Sequence, residues 1–355
     1  MPPRRETRHT AQRLLEAFGP TAFSAAAGRA AGLSARQLEQ AARSGTIVRL
    51  RQGLYAVSGD DAECHRGVLR VTADRLRVRG TEPIVIGWSA ARLWGMEDVS
   101  PGPQGRRPIA SMAVPSTATH HAGTRAGVLI RKLDVPPGHV SQMPDGLVVT
   151  TPLRTGIDLA HECRVSPVSA LASLCLALRR DVERDLGSRD PRRVARALVA
   201  GDIVVTKAAV MAQILDEAGH RGGRRLQSLI VLAHAAPENA FEALSWAAIA
   251  QSDLPRPLCQ QWAQGASGRW YRVDYLWPEW GLIGEADGAV KYASGADVLA
   301  EKRRQADLEA AGYRFVRWIW EDVVPDATPM LRRVGRAIGD VHAPNSAANR
   351  QLQAP

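Results

Sequence analysis

The stretch YRVDYLWPEWGLIGEADGAVKY, residues 271–292, reads as two strands of β-forming residues joined at Trp277-Pro278-Glu279-Trp280. Strand side chains alternate, so Glu285 and Asp287 share one face of the second strand and Ala286 takes the other. A turn centred between Pro278 and Glu279 pairs Asp274 with Ile283 and sets Asp274 diagonal to Glu285, about 7–8 Å apart at the backbone. Three carboxylates then crowd one edge of an otherwise apolar hairpin. Like charges so close repel unless a proton or a cation intervenes. Hard oxygen donors at that spacing suit Mg²⁺ or Mn²⁺, which activates water and steadies the charge on a phosphodiester under attack. On this reading Asp274, Glu285 and Asp287 are the metal ligands. Lys291 either orients the water or neutralises the pentavalent phosphate, and Glu242, on the preceding helix, is a ligand or an acid behind the ligands. The plainer alternative is a strand end running into a polar Asp-Gly turn, with Asp274 balanced by Arg272.

Around this hairpin the pattern predicts a helix over 238–250, a strand over 258–263, the hairpin strands over 270–276 and 281–287, a helix over 296–311 closed by Gly312, and a strand over 314–320. The order is α-β-β-β-α-β. Seven of the nine tryptophans fall between Trp246 and Trp320, enough for this segment to build its own aromatic core.

With AFEALSW before the hairpin and AEKRRQADLEAAGYRFVRWIWEDV after it, the segment resembles the Vsr-like endonuclease domain of the PD-(D/E)XK nuclease superfamily. That resemblance implies a restriction-endonuclease-like fold and metal-dependent DNA cleavage. It casts Asp274 as the first motif acid, Glu285 and Asp287 as the E-x-D of the next strand, and Glu242 as the acid of the leading helix. The sequence departs from the pattern twice. Lys291 stands where such domains often carry histidine, and Asp287 fills the usual lysine slot of E-x-K.

Residues 23–57, FSAAAGRAAGLSARQLEQAARSGTIVRLRQGLYAV, predict a small-residue helix over 24–31 stopped at Gly32. A second helix follows, opened by Ser34 and Gln37 as a capping box, and then two short strands over 46–50 and 53–57. Leu33, Leu38 and Ala41 face inward. Arg36, Gln37, Gln40 and Arg43 face outward, suited to base edges in a major groove, while Arg49 and Arg51 on the hairpin suit phosphates. The layout is that of a winged helix-turn-helix. It resembles the N-terminal module of the AbiEi antitoxin family of type IV toxin-antitoxin systems. WSAARLWGM and GLVVTTPLRTGIDLA look like the region that follows the module there. The resemblance implies a host-defence or mobile-element setting and a cognate toxin as partner.

The rest of the chain is read more coarsely. Residues 61–165 are expected to be a mixed α+β region, with a surface ion pair between Arg154 and Asp158 and with His120 and His121 on an exposed loop. Residues 166–236 read as a helical connector, its helices over 166–186, 191–199, 206–217 and 224–234, with Thr206 as an N-cap. The arginines at 179, 180, 192, 193 and 196 are available to a DNA-binding surface or simply solvated. The expected domains are 1–60, 61–165, 166–236 and 237–342, with 343–355 a disordered tail, in an α/β multidomain chain.

The 355 residues carry a formal charge of +10, and nine arginines against three glutamates through Val57 put +6 of it in the first sixth of the chain. This favours a polyanionic partner, here DNA, at the N-terminal end. Cys64, Cys163, Cys175 and Cys259 have neither CxxC nor zinc-finger spacing and read as reduced thiols. No apolar run reaches the roughly 20 residues of a membrane span, and the basic start lacks the apolar core of a signal peptide, so a cytoplasmic protein is expected. Two functions fit these features: a DNA-binding nuclease, or a non-enzymatic repressor or antitoxin that keeps a degenerate nuclease fold.

Overall fold

The computed structural model describes residues 13–14, 16–19, 22–43, 47–51, 53–57, 62–77, 80–96, 99, 110–125, 128–162, 166–199, 202–217, 223–287 and 295–339. The chain is mixed α/β and divides into two compact units. One comprises residues 1–95 and 103–155, the other residues 96–102 and 156–355.

The first unit opens with β1 (Ala22–Ser24), α1 (Ala25–Ala30), α2 (Ala35–Arg43), β2 (Ile47–Arg51) and β3 (Leu54–Val57). The Ser24 side chain caps α1, and Gly32 takes φ +82° where the chain turns. Ser34 and Gln37 form the expected reciprocal cap: the Gln37 amide donates to Ser34 Oγ, and Gln37 Oε1 accepts from the Ser34 amide at 2.9 Å. The strands order as β1-β3-β2, so β1 adds a third strand to the expected hairpin. Leu14, Phe23, Leu33, Leu38, Ile47 and Tyr55 close a small core beneath them.

Next come α3 (Ala62–Arg77), β4 (Ile84–Val85), α4 (Gly87–Trp94), β5 (Ala110–Val114), β6 (Gly123–Arg125), β7 (Val128–Lys132), β8 (Val140–Gln142), β9 (Val148–Thr150) and α5 (Pro152–Glu162). The six strands form one mixed sheet in the order β6-β7-β5-β4-β9-β8. Two expectations fail here. Arg154 and Asp158 are buried rather than on the surface, and Arg154 Nη1 lies 3.0 Å from His139 Nδ1, which fixes that nitrogen as the acceptor. His120 is also buried, whereas His121 is exposed as expected.

The second unit carries α6 (Pro167–Leu186), α7 (Pro191–Val199), α8 (Asp202–Glu217), α9 (Gly223–Ile230) and α10 (Ala240–Ala250). Helix α8 begins four residues before Thr206, which is therefore interior to the helix rather than its cap, and α9 ends before His234. Helix α6 packs along α10, and its Arg179 and Arg180 are tied to Glu183. Neither arginine is free for DNA. Arg192, Arg193 and Arg196 on α7 are exposed.

The remaining elements are β10 (Leu258–Gln264), β11 (Trp270–Trp277), β12 (Leu282–Ala286), α11 (Gly295–Ala310), β13 (Arg314–Trp318) and α12 (Thr328–Gly339). The expected α-β-β-β-α-β order is present, followed by α12, which was not anticipated. The sheet runs β10-β11-β12-β13, antiparallel except for the parallel pair β12 and β13. Tyr275 and Trp318 pack as tilted rings with centroids 5.3 Å apart, and Trp277 lies beside Tyr275. Every polar handle in this core is answered: Trp318 Nε1 donates to Ser245, Trp277 Nε1 to the Pro255 carbonyl and the Tyr275 hydroxyl to the Glu242 carbonyl. Among the described residues no helix is long and apolar enough to cross a membrane.

Candidate active site

The hairpin turn is a short 3₁₀ segment, Pro278–Trp280, closed by Gly281 at φ +54°. Its centre lies one residue later than the sequence predicted, so Leu276 pairs with Ile283 and Tyr275 with Gly284. Continuing that register sets Asp274 directly opposite Glu285 instead of diagonal to it. The slip is two residues, so both acids keep their expected face.

That face meets α11. Glu285 is buried and accepts both terminal nitrogens of Arg304 on one oxygen, at 3.1 and 2.7 Å. Arg304 Nε also reaches Glu301 at 3.2 Å. Asp287 pairs with Arg317 at 3.0 Å, and Arg317 in turn holds Glu301 at 2.9 Å. Acids and arginines thus alternate along the edge from Glu285 to Asp287.

Among the described residues, a second group of acids, Glu242 and Asp274, is hydrogen-bonded to neutral donors and ion-paired to no arginine or lysine. Glu242 sits at the third position of α10 and reaches back to the helix start, accepting from the Glu238 amide at 2.8 Å and from Asn239 Nδ2 at 2.6 Å. Asp274 accepts from the Ala286 amide at 3.1 Å. One amide group joins the two carboxylates: Gln260 Nε2 lies 2.9 Å from Glu242 Oε2 and 3.3 Å from Asp274 Oδ1. The pairs Cys259 with Tyr275 and Gln261 with Val273 put Gln260 opposite Asp274. Gln260 has φ +53°, a left-handed conformation that costs a residue with a Cβ roughly 1–2 kcal/mol. Arg272, the partner offered by the plainer alternative, instead pairs with Glu238 at 2.7 Å.

The electrostatics follow from this arrangement. Burial first, and then Asp274, push the Glu242 carboxyl up to about 8. Burial also raises Asp274, against the pull of its hydrogen bonds from Ala286 and Gln260. Glu285 is pushed up to about 7, chiefly by burial, which Arg304 offsets only in part. Asp274 lies within Coulombic reach of Glu242 on one side and of Glu285 on the other, and in donor chemistry, three carboxyls with hard oxygens held toward their neutral form, these residues suit Mg²⁺ or Mn²⁺. Glu285 and Asp287 each already carry an arginine, Arg304 and Arg317, that a cation would have to share or displace. Cys175 and Cys259 are both free and buried, and burial pushes Cys175 up to about 12 and Cys259 well above the usual thiol range, which disfavours the nucleophilic thiolate.

Lys291 lies outside the described residues. The sequence reading missed Arg304 and Gln260. Arg304 sits nineteen residues beyond Glu285 in a run of mixed charge, AEKRRQ, where helical phase alone does not say which cation turns inward. Gln260 had a faint signal, two adjacent glutamines in a strand that is otherwise largely apolar, LCQQWAQ. In the first unit Arg36, Gln40, Arg43 and Arg49 are exposed, as a nucleic-acid contact requires. Gln37 is exposed too but spends its side chain on the Ser34 cap, and the side chain of Arg51 lies outside the described residues.

No family model matches the chain. It is 24% identical over 306 residues, 86% of its own length and 97% of the relative's, to "Uncharacterized protein MT2308" of Mycobacterium tuberculosis strain CDC 1551 / Oshkosh. The same figures hold for "Uncharacterized protein Rv2248" of strain H37Rv. An alignment of that length extends over both units. The crystal structure of RV2827C protein from Mycobacterium tuberculosis is similar at 18% identity over 64% of this chain and 82% of that one, with a TM-score of 0.31.

Proposed function

We propose that the chain is a DNA-binding protein whose second unit hydrolyses phosphodiesters with a divalent metal ion. The observation that carries this reading is the meeting of Glu242, Asp274 and Glu285, drawn from α10, β11 and β12, with all three carboxyls held above their ordinary range. Mg²⁺ or Mn²⁺ at these acids would supply an activated water and stabilise charge on the phosphate. The protein's own residues do the rest. Gln260 and the Ala286 amide orient Asp274, the α10 cap orients Glu242, and Arg304 offers a guanidinium beside Glu285. Asp287 with Arg317 buttresses the strand end and stands as a further ligand or base. The αβββαβ order supports the nuclease-like fold. The two short helices followed by a hairpin support a winged helix-turn-helix that delivers the nuclease to DNA. A host-defence or toxin-antitoxin setting rests on the AbiEi resemblance.

A second reading, a non-enzymatic repressor or antitoxin, is favoured by one observation: Glu285 and Asp287 are already paired with Arg304 and Arg317, as in a fold that keeps its charges satisfied without a metal. Cleavage of supercoiled plasmid and of single-stranded DNA by the purified chain, with Mg²⁺, Mn²⁺ or EDTA, separates the two. The nuclease reading expects metal-dependent nicking that Glu285→Gln lowers at least about a hundredfold while DNA binding persists. Wild type and variant that both bind DNA, with neither cutting it, would hand the assignment to the repressor reading.

A further inference from the structure

We infer that Arg304 latches the acid site in its resting state, and that a phosphate group of the nucleic acid releases it, so that a divalent cation binds fully only together with substrate. The inference rests on the metal-dependent reading above and names the regulation of that same site.

Arg304 places both terminal nitrogens on a single oxygen, Glu285 Oε1, at 3.1 and 2.7 Å, and so occupies the lone pairs through which that oxygen would bind a cation. A metal ion taking Oε1 must therefore displace a guanidinium, and one taking the other oxygen must bind beside its charge, whereas among the described residues Glu242 and Asp274 meet only neutral donors, the side-chain amides of Gln260 and Asn239 and the backbone amides of Glu238 and Ala286. The two site arginines also differ in freedom. Arg317 is held from several sides, by Asp287, Glu301 and Gln305, and lies 5.4 Å from the Phe315 ring centroid. Arg304 has two anchors only among its described contacts, and they fall on different parts of the guanidinium: Nε on Glu301, the terminal pair on Glu285. Release from Glu285 leaves the Glu301 contact as a pivot. Its side chain is about one-fifth exposed, so solvent and a solute phosphate can reach it. The planar fork now given to a carboxylate matches a phosphate equally well. A phosphate that takes the fork uncovers Glu285 for the cation and leaves the guanidinium where charge builds up during cleavage.

The test is Mn²⁺ binding to the full-length chain, followed by the electron paramagnetic resonance of free Mn²⁺, with and without a short oligonucleotide carrying non-hydrolysable phosphorothioate linkages. Wild type, Arg304→Gln and Arg304→Lys are compared, and thermal melts confirm that each is folded. The expected results are a wild-type Mn²⁺ affinity at least about tenfold higher with the oligonucleotide than without it, and an Arg304→Gln affinity that is already high without DNA and changes little on its addition. Arg304→Lys, which keeps the charge but loses the fork, falls between them. Measurable but equal Mn²⁺ affinity in wild type and Arg304→Gln without DNA overturns the latch and leaves the metal site standing. No Mn²⁺ binding in any protein, with or without DNA, overturns the metal site and the latch together.

Discussion

Glu242 answers two demands at once. As the third residue of α10 it caps the helix, and as a buried carboxyl beside Asp274 it is held up to about 8 from an ordinary 4.5. Unfolding returns it to the ordinary value. Between about 4.5 and about 8 the folded chain therefore keeps a proton that the unfolded chain has lost. The stability tied to this group is complete below about pH 4.5 and is lost as pH rises through about 8. Glu285, pushed up to about 7, acts in the same direction. In EDTA, wild type should lose stability from about pH 5 to about pH 9, and Glu242→Gln should lose roughly 1–3 kcal/mol less over that interval. Urea unfolding at the two pH values measures this, and an unchanged slope in the variant would show that Glu242 is not the group holding the proton. At this scale the sequence identified the acids well and their cationic partners badly. Glu285 and Asp287 were legible because alternation along a strand is a property of the backbone. Arg304 was not, because a partner nineteen residues away on another element is a matter of how the chain folds back.

The strand β12 shows how little room the site has. A Cβ on Gly284 would lie 2.8 Å from both Trp277 and Trp318, buried rings fixed by hydrogen bonds from their indole nitrogens to Pro255 and Ser245. Gly284→Ala is expected to cost about 1–3 kcal/mol through overpacking, read as a lower urea midpoint with an unchanged slope. Unaltered stability would mean that the two indoles can give way. The element kinds and their order in this segment were legible, from aromatic and β-branched runs and from glycine punctuation. The turn centre was not. Its 3₁₀ segment moves the centre of the connection by one residue, and that decided which acid faces which. Helix α12 went unread because it is a short amphipathic segment whose apolar positions, Met330 and Val334, acquire meaning only against the sheet they cover.

Over the whole molecule the formal charge of +10, weighted toward the first sixth of the chain, predicts strongly salt-dependent association with DNA. If the hairpin of the first unit contacts phosphates through Arg49, Arg49→Ala should weaken binding about equally for unrelated sequences. It should also reduce the slope of log affinity against log salt by about 1. Arg36→Ala, on the outward face of α2, should instead change discrimination between sequences. Fluorescence anisotropy over a salt series distinguishes these outcomes. Loss of affinity with no change in slope for Arg49→Ala would remove that phosphate contact.

What the sequence determined by itself is local. It set the helix caps at Ser24 and Ser34, the shared face of Glu285 and Asp287, the order of strands and helices around the hairpin, and the density of positive charge at the N-terminal end. Each depends on dihedral preference, on side-chain period or on a count, none of which needs a distant neighbour. Tertiary structure decided what is buried and what answers it. Arg154, Asp158 and Arg179 look like surface charges along their helices and are interior residues, and Asp274 looks paired to Arg272 but meets Gln260 instead. Burial raises the cost of a charge, and the identity of its neighbour sets how much of that cost is offset. Both depend on elements brought together across the fold, which is why the chemistry of this site emerges only when α10, β10, β11, β12 and α11 are assembled.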